Sequence, residues 1–506
     1  MLLQKKKKTM TTNNPKLTFY GGVGSTTGAN IMLEFNEKKI LVDCGLLQGR
    51  REDEEKNFED FKYNPADVDF LLITHAHMDH IGKIAKLVRD GFKGKIISTE
   101  QTLELAHPML ADTLKVFRLK HPDKTLFEEK DIEKAFSLWE GKKYGEKIEL
   151  FEGCSLKMQN AGHILGSAIL NVTTSPLASR SPLLAKERGK KTIKVAFTGD
   201  LGNSPSPLLP DNEFPEGVDY LVMESVYGDR NHEKRGERRE KLKKALLEGI
   251  KKDGTMVIPA FSIERTQVLL YEINNMIEDG EIKEVPVFLD SPLAQKVTNI
   301  YKKHIGDFKE LVKDEIKAGD DIFDFPNFTI INTAQESREI EKVKGAKIIL
   351  AGSGMSEGGR VVNHEAYYLP DPKASIIIVG YQAVGSLGRA ILNGKKEVFM
   401  DTDGNRKNGK EKVKVRATIK NITGYSSHKD SDHLLEFVEV ASRSKAAEDG
   451  ERFIPSTVEG SRTMKLKKVF VIMGEPKSSL FLTQRIRDYL DIDAVYPETG
   501  REYILE

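Results

Sequence analysis

The sequence predicts an α/β protein built from more than one domain. Its 506 residues exceed what a single hydrophobic core ordinarily serves. Short apolar runs separated by Gly and charged turns fill the first two hundred residues and read as strands of a sheet. From Tyr220 to about Thr423 strand-like and helix-like segments alternate, the pattern of a parallel sheet with crossover helices.

The chain opens with Lys5, Lys6, Lys7 and Lys8, followed by Thr, Asn and Pro where a signal peptide would carry an apolar core. Residues 1–15 therefore read as a disordered arm, with Met10 an alternative start. Strands are expected at Leu17 to Tyr20, Ile31 to Phe35, Ile40 to Asp43 and Asp69 to Thr74. Helical spacing covers Ile81 to Asp90 and Thr125 to Leu138. Strands return at Ser155 to Gln159, Ala168 to Thr173 and Lys194 to Thr198. Between the last two, Thr174 to Lys191 is rich in Ser, Pro and basic residues and reads as an insertion in a hairpin. In the alternating region, strands are expected at Met256 to Pro259, Val287 to Leu289, Lys347 to Leu350 and Ile376 to Val379, with a helix over Thr266 to Ile277. Ser442 to Lys467 is a second polar insertion. The chain closes with a strand, Val469 to Met473, and a helix near Leu480 to Leu490.

Composition excludes several classes. Lys plus Arg is 78 against 77 for Asp plus Glu, a formal charge of +1, so a nucleic-acid contact must come from a local groove. No apolar run reaches the roughly 18 residues of a membrane span. Cys44 and Cys154 are the only cysteines, which excludes a disulfide framework or a Cys-based zinc site. A cytoplasmic protein is expected.

The strongest chemical signal is His75-Ala76-His77-Met78-Asp79-His80, directly after an apolar strand. Two His at i and i+2 in extended chain point to one side, and the following turn can bring Asp79 and His80 alongside. Imidazole and carboxylate are the ligands zinc takes at catalytic sites, where a position stays open for water. A surface His cluster is the bland alternative. Three weaker features follow the same pattern. His163 sits in the Gly-flanked turn Gly162 to Ser167, Asp200 ends a strand in Thr198-Gly199-Asp200, and Asp43 ends another in Val42-Asp43-Cys44.

These motifs resemble the metallo-β-lactamase superfamily: His75, His77, Asp79 and His80 match its H-x-H-x-D-H motif, His163 its third motif and Asp200 its fourth. The resemblance implies a four-layer αβ/βα sandwich with metals at one edge of its two sheets. It also implies one zinc on His75, His77 and His163, a second on Asp79 and His80, Asp200 bridging, and Asp43 supporting the metal loop. Two metals roughly 3.5–4 Å apart imply attack by a bridging hydroxide.

The middle of the chain narrows the resemblance. Val222 to Gly228, Phe261 to Gln267, Asp290 to Ala294, Gly352 to Gly359, Gly380 to Arg389 and Gly424 to His428 together resemble the β-CASP nucleases, over nearly the full length from Leu17. That implies an inserted α/β β-CASP domain, with domains at 16–226, 227–424 and 425–506, the first and last forming one metallo-β-lactamase unit. Glu224 matches the family's acid motif and His428 its first late His motif. A carboxylate beside a histidine raises its pKa and suits it to protonate a phosphodiester leaving oxygen; without the motif, His428 reads as a turn residue. Ser353, Gly354 and Ser356 can form a backbone nest for a phosphate, and Arg265 a second phosphate clamp, against an ordinary surface Arg. His232 and His364 match no motif and read as structural or solvated. Arg406 to Arg416 carries six basic residues against Glu411 and reads equally as an RNA guide or a solvated hairpin.

One position departs from the pattern. RNA-processing members end a strand with His in a Val-His-Gly-Glu context, where this chain has Met473 in Val471-Ile472-Met473-Gly474-Glu475. A second-zinc ligand is thus missing and the second ion is expected to be weak. Met473 leans toward DNA-processing relatives, whereas Gly352 to Gly359 and Gly380 to Arg389 lean toward RNA. The expectation is a zinc-dependent ribonuclease acting on single-stranded RNA, endo- or 5′-to-3′ exonucleolytic, with a homodimer permitted. The rivals are a β-CASP DNA nuclease, an inactive RNA-binding subunit and a small-ester hydrolase.

Overall fold

The computed structural model describes residues 14–49, 51–175, 192–232, 235–356, 358–380, 382, 385–400, 411–443 and 466–506. The basic arm, most of both insertions, Glu357, Tyr381 and the stretch from Arg406 to Lys410 lie outside these residues.

Period-two alternation decides how the first two sheets stack. Leu17, Phe19, Ile31, Leu33, Ile40, Val42 and Leu72 point one way from the first seven-stranded sheet. They meet Leu156, Met158, Leu170, Val172, Val195, Phe197 and Phe470 of the second seven-stranded sheet in one core. Met32, Leu41, Leu71 and Ile73, on the opposite face of the first sheet, pack with residues of helices Ile84–Arg89, Glu100–Lys120 and Glu129–Ser137. Ile169, Ala196, Leu221, Met223 and Val469 do the same for the second sheet against helices Ser431–Ser442 and Pro476–Leu490. Helix, sheet, sheet, helix is the four-layer sandwich expected.

A third sheet of six strands lies in sequence between Tyr220–Met223 and Lys468–Val471, which are parallel neighbours in the second sheet. Its strands are Phe328–Ile330, Val287–Asp290, Lys347–Ala351, Thr255–Pro259, Ser375–Ile378 and Thr418–Asn421, in that spatial order. All its pairings are parallel. Thr255–Pro259 and Lys347–Ala351 are buried throughout, as strands covered on both faces must be.

Several expected elements shift. The helix over Ile81 to Asp90 is two short helices, Met78–Ile81 and Ile84–Arg89, with Gly82 and Lys83 between them. The Thr125 to Leu138 segment is helical only from Glu129, where Glu128 and Asp131 form a reciprocal cap. The last helix begins earlier, at Pro476, a residue preorganised for a first turn. The strands Ala168–Thr174 and Ile193–Phe197 pair directly, so the first insertion does interrupt a hairpin.

Candidate metal centre

Most of the motif residues gather because they follow the carboxyl ends of strands. Asp43 follows Lys38–Val42, His75 and His77 follow Phe70–Leu72, Asp200 follows Ile193–Phe197, and Glu224 follows Tyr220–Met223. Neighbouring strands here run parallel, so their carboxyl ends open on one side. Asp79 and His80 ride on the short helix that His77 precedes, and His163 projects from the loop between Cys154–Asn160 and Ala168–Thr174.

Three groups of possible ligands result, all sharing Asp200: His75, His77 and His163; Asp79 and His80; and Glu224 with His428. Within each, the ligand atoms lie within 4.8 Å of one another. His77 Nδ1 is 3.1 Å from His75 Nε2 and 3.2 Å from His163 Nε2, three imidazole nitrogens converging on one point. Asp200 lies 3.4 Å from His75, 3.5 Å from His163 and 3.4 Å from His80.

Behind the ligands the other ring nitrogens of His80, His75 and His163 are held by the protein. His80 Nδ1 is 2.7 Å from Asp43, which also accepts from the Thr74 amide and hydroxyl, both at 2.8 Å. His75 Nδ1 is 3.0 Å from the Thr74 hydroxyl, and His163 Nδ1 is 3.1 Å from the Ser427 carbonyl. Such partners fix which nitrogen keeps its proton and which faces inward. The set fits a divalent cation. Its donors are imidazoles and carboxylates, and two inward atoms, His80 Nε2 and Asp200 Oδ1, are buried without a hydrogen-bond partner.

Electrostatics divides the cluster. Burial drives His77 and His163 well below the usual imidazole range, leaving them neutral. Burial also opposes charging of His428, but Glu224 and Asp200 outweigh it and lift this imidazole to about 9. Glu224 contacts His428 Nδ1 at 3.2 Å and accepts from the Leu201 amide at 2.6 Å. His428 keeps part of its ring open to solvent.

The other predicted residues behave differently. Arg265 is not a surface clamp: it is 6% exposed, and its guanidinium donates to the Val379 carbonyl and, at 3.1 Å, to the Ser427 hydroxyl. It ties the carboxyl end of the third sheet to the segment that orients His163. Ser356 is buried; its hydroxyl donates to Glu365 at 2.7 Å and its amide to the Ser353 carbonyl, so both have internal partners. The Ser353 amide donates to the Gly358 carbonyl, and Gly354 packs against the Phe261 ring, where a Cβ would come within 2.6 Å. Met473 follows Lys468–Val471 with φ of 49°, 2% exposed, its thioether against Gly22. His364 is held by Asp290 at 2.7 Å.

Sequence reasoning missed the residues that act through the backbone or from behind. Ser427 offers its carbonyl to His163 and to the Asn203 amide, a role any residue could fill and none announces. Thr74 lies in the run ahead of the His motif but reads as one more strand residue. His232 caps the site from outside, its Nε2 2.9 Å from the His428 carbonyl and its ring against Tyr227.

Comparison with known proteins fits this geometry. The Metallo-beta-lactamase superfamily domain model matches residues 32–178 and the Beta-Casp domain model residues 266–391. Over 420 residues the chain is 31% identical to a ribonuclease of Thermus thermophilus, covering 83% of this chain and 90% of that protein. The chain belongs to the β-CASP family of the metallo-β-lactamase superfamily. Further β-CASP relatives include the transcription termination factor FttA of Methanocaldococcus jannaschii, 29% identical over 430 residues, 84% of this chain and 64% of that one. The β-CASP chain thus spans just under two thirds of the archaeal factor. A solved structure of a protein of unknown function from Enterococcus faecalis V583 shares the fold, with a TM-score of 0.52 at 12% identity over 97% of this chain and 100% of that one. No helix among the described residues is long and apolar enough to cross a membrane.

Proposed function

We propose that this β-CASP protein is a metal-dependent ribonuclease that hydrolyses phosphodiester bonds of single-stranded RNA. The observation that carries the reading is Asp200 shared between two ligand groups, with Glu224 and His428 completing a third side. The name of the Thermus relative and its coverage support RNA as substrate.

In this reading His75, His77 and His163 hold one ion, Asp79 and His80 the other, and Asp200 both. The imidazole and carboxylate donors favour zinc. Bound there, two divalent ions would supply Lewis-acid neutralisation of phosphate charge and a water of lowered pKa. The chain's own residues do the rest. Asp43 and the Ser427 carbonyl hold His80 and His163 in the tautomers that face inward. His428, kept protonated by Glu224, stands ready to give a proton to the leaving oxygen. RNA would lie between the metal loops and the carboxyl end of the third sheet, the side on which Arg265 reaches Ser427. Residues 16–226 and 425–506 form the metal-bearing unit and 227–424 the β-CASP unit. Arg265 and Ser356, whose side chains bond internally, hold this junction and its loop in shape.

A DNA nuclease is the second reading, carried by Met473. Metal-loaded protein offered RNA and single-stranded DNA of one sequence, with products mapped at their 5′ ends, decides between them. Preferential RNA cleavage supports the proposal; preferential DNA cleavage replaces it.

A further inference from the structure

A second charged feature lies at the edge of the third sheet. Edge strand Thr418–Asn421, helix Leu387–Leu392 and the residues just outside the antiparallel pair Glu397–Met400 and Glu411–Lys414 line a cleft of about 550 Å³. Its walls include Arg389, Lys395, Lys396, Arg416 and Asn421, and an adjoining hollow adds Lys414 and Glu397. Five cations thus face one carboxylate, and Glu397 is already ion-paired to Lys412 at 2.5 Å. In a chain whose formal charge is only +1, such a concentration is local and attracts anions.

The hairpin adds an aromatic. Its alternation buries Val398, Met400 and Val413 in the core and turns Glu397, Phe399, Lys412 and Lys414 outward. Phe399 pairs across the strands with Lys412 and is 62% exposed. An exposed ring beside lysines is the arrangement on which single-stranded nucleic acid rests, bases stacking on the ring and cations taking phosphates.

We propose that this hairpin and cleft form a second binding site for single-stranded RNA, with Lys395, Lys396, Lys414 and Arg416 on the backbone and Phe399 under a base. The proposal rests on the RNA reading above. Asn421 at the cleft precedes His428 by seven residues, so fully extended chain separates them by at most about 25 Å. A long RNA can therefore occupy both sites, whereas one of a few nucleotides engages only the metal centre.

The test compares wild-type protein with a Lys395→Gln, Lys396→Gln, Arg416→Gln triple variant and with Phe399→Ser. All four positions are exposed, so circular dichroism and melting should stay as in the wild type. Each lost phosphate contact should remove roughly 0.7 from the slope of log affinity against log salt, about 2 for the triple variant on an RNA of about 25 nucleotides. Phe399→Ser should weaken that RNA roughly ten-fold. Turnover of an RNA of about five nucleotides should not change in either variant. Unchanged slope and affinity for the long RNA, in a protein that binds and cuts it, would overturn the second site. Equal losses on long and short RNA would overturn it too, as would a loss confined to single-stranded DNA. Failure of the wild type to bind or cut any RNA would instead sink the functional reading, and this proposal with it.

Discussion

Replacing Asp43 by Asn should disarm a metal ligand that it does not itself become. The Asp43 carboxylate accepts from the Thr74 amide, the Thr74 hydroxyl and His80 Nδ1. Asn keeps the shape but turns one acceptor into a donor. The Thr74 amide can only donate, so the introduced side chain should set its carbonyl oxygen there. Its NH₂ then faces His80 Nδ1, and the imidazole must move its proton to Nε2 to accept that bond. Nε2 is the atom 3.4 Å from Asp200 and 3.7 Å from Asp79. Protonated, it has no lone pair for a metal. Losing such an outer partner costs about 10–100-fold in metal affinity, or about 1.4–2.8 kcal/mol. Titration of metal into stripped protein against a chromophoric chelator should show one site weakened by that factor. The site on His75, His77 and His163 should lose less, because Asp43 reaches it only through the Thr74 hydroxyl beside His75. A well-folded Asp43→Asn protein binding two ions with wild-type affinity would show that Asp43 does not set the His80 tautomer.

Three further outcomes are expected. His428→Ala should retain metal yet slow turnover by about 10²–10⁴-fold, with a smaller loss on a substrate carrying an activated leaving group; equal losses would make His428 a positioning residue. The Asp79, His80 and Asp200 group has one ligand fewer than the other, so its ion should leave first under mild chelation; Met473→His should slow that loss, and an unchanged rate would show that Met473 only packs against Gly22. Glu264, buried beneath the Tyr301 hydroxyl at 2.7 Å, is pushed by burial to about 7. A carboxyl raised in the folded state stabilises it below the unfolded pKa, here near 4.5, and loses that contribution as pH climbs through 7. Urea unfolding should therefore show wild type losing roughly 3 kcal/mol relative to Glu264→Gln between about pH 5 and 8; parallel pH profiles would contradict this.

What the sequence revealed depended on whether a residue's role lies in its side-chain chemistry. His75, His77, Asp79 and His80 stand out because few surfaces need such a string, and Thr255–Pro259 and Lys347–Ala351 stand out as apolar runs buried on both faces. Arg265 shows a charge but not its direction, and only the fold reveals that Val379 and Ser427 take its donors. The 21-residue helix Glu100–Lys120 escaped because charged residues and Pro108 dilute its apolar face. The strand Glu502–Ile504 escaped for another reason. It pairs with Lys16–Gly21 across nearly the whole chain, and no local pattern encodes that partner.

Asp79→Ala is the most direct test of the central assignment. Asp79 belongs to the second ligand group and sits 3.7 Å from His80 Nε2, at the mouth of the cluster. Cleavage of a single-stranded RNA should be compared between metal-loaded wild type and variant, with bound metal counted and the fold checked by circular dichroism. The variant should fold, hold less metal and cut RNA slower by several orders of magnitude. A folded Asp79→Ala protein that cuts RNA at the wild-type rate would contradict the assignment.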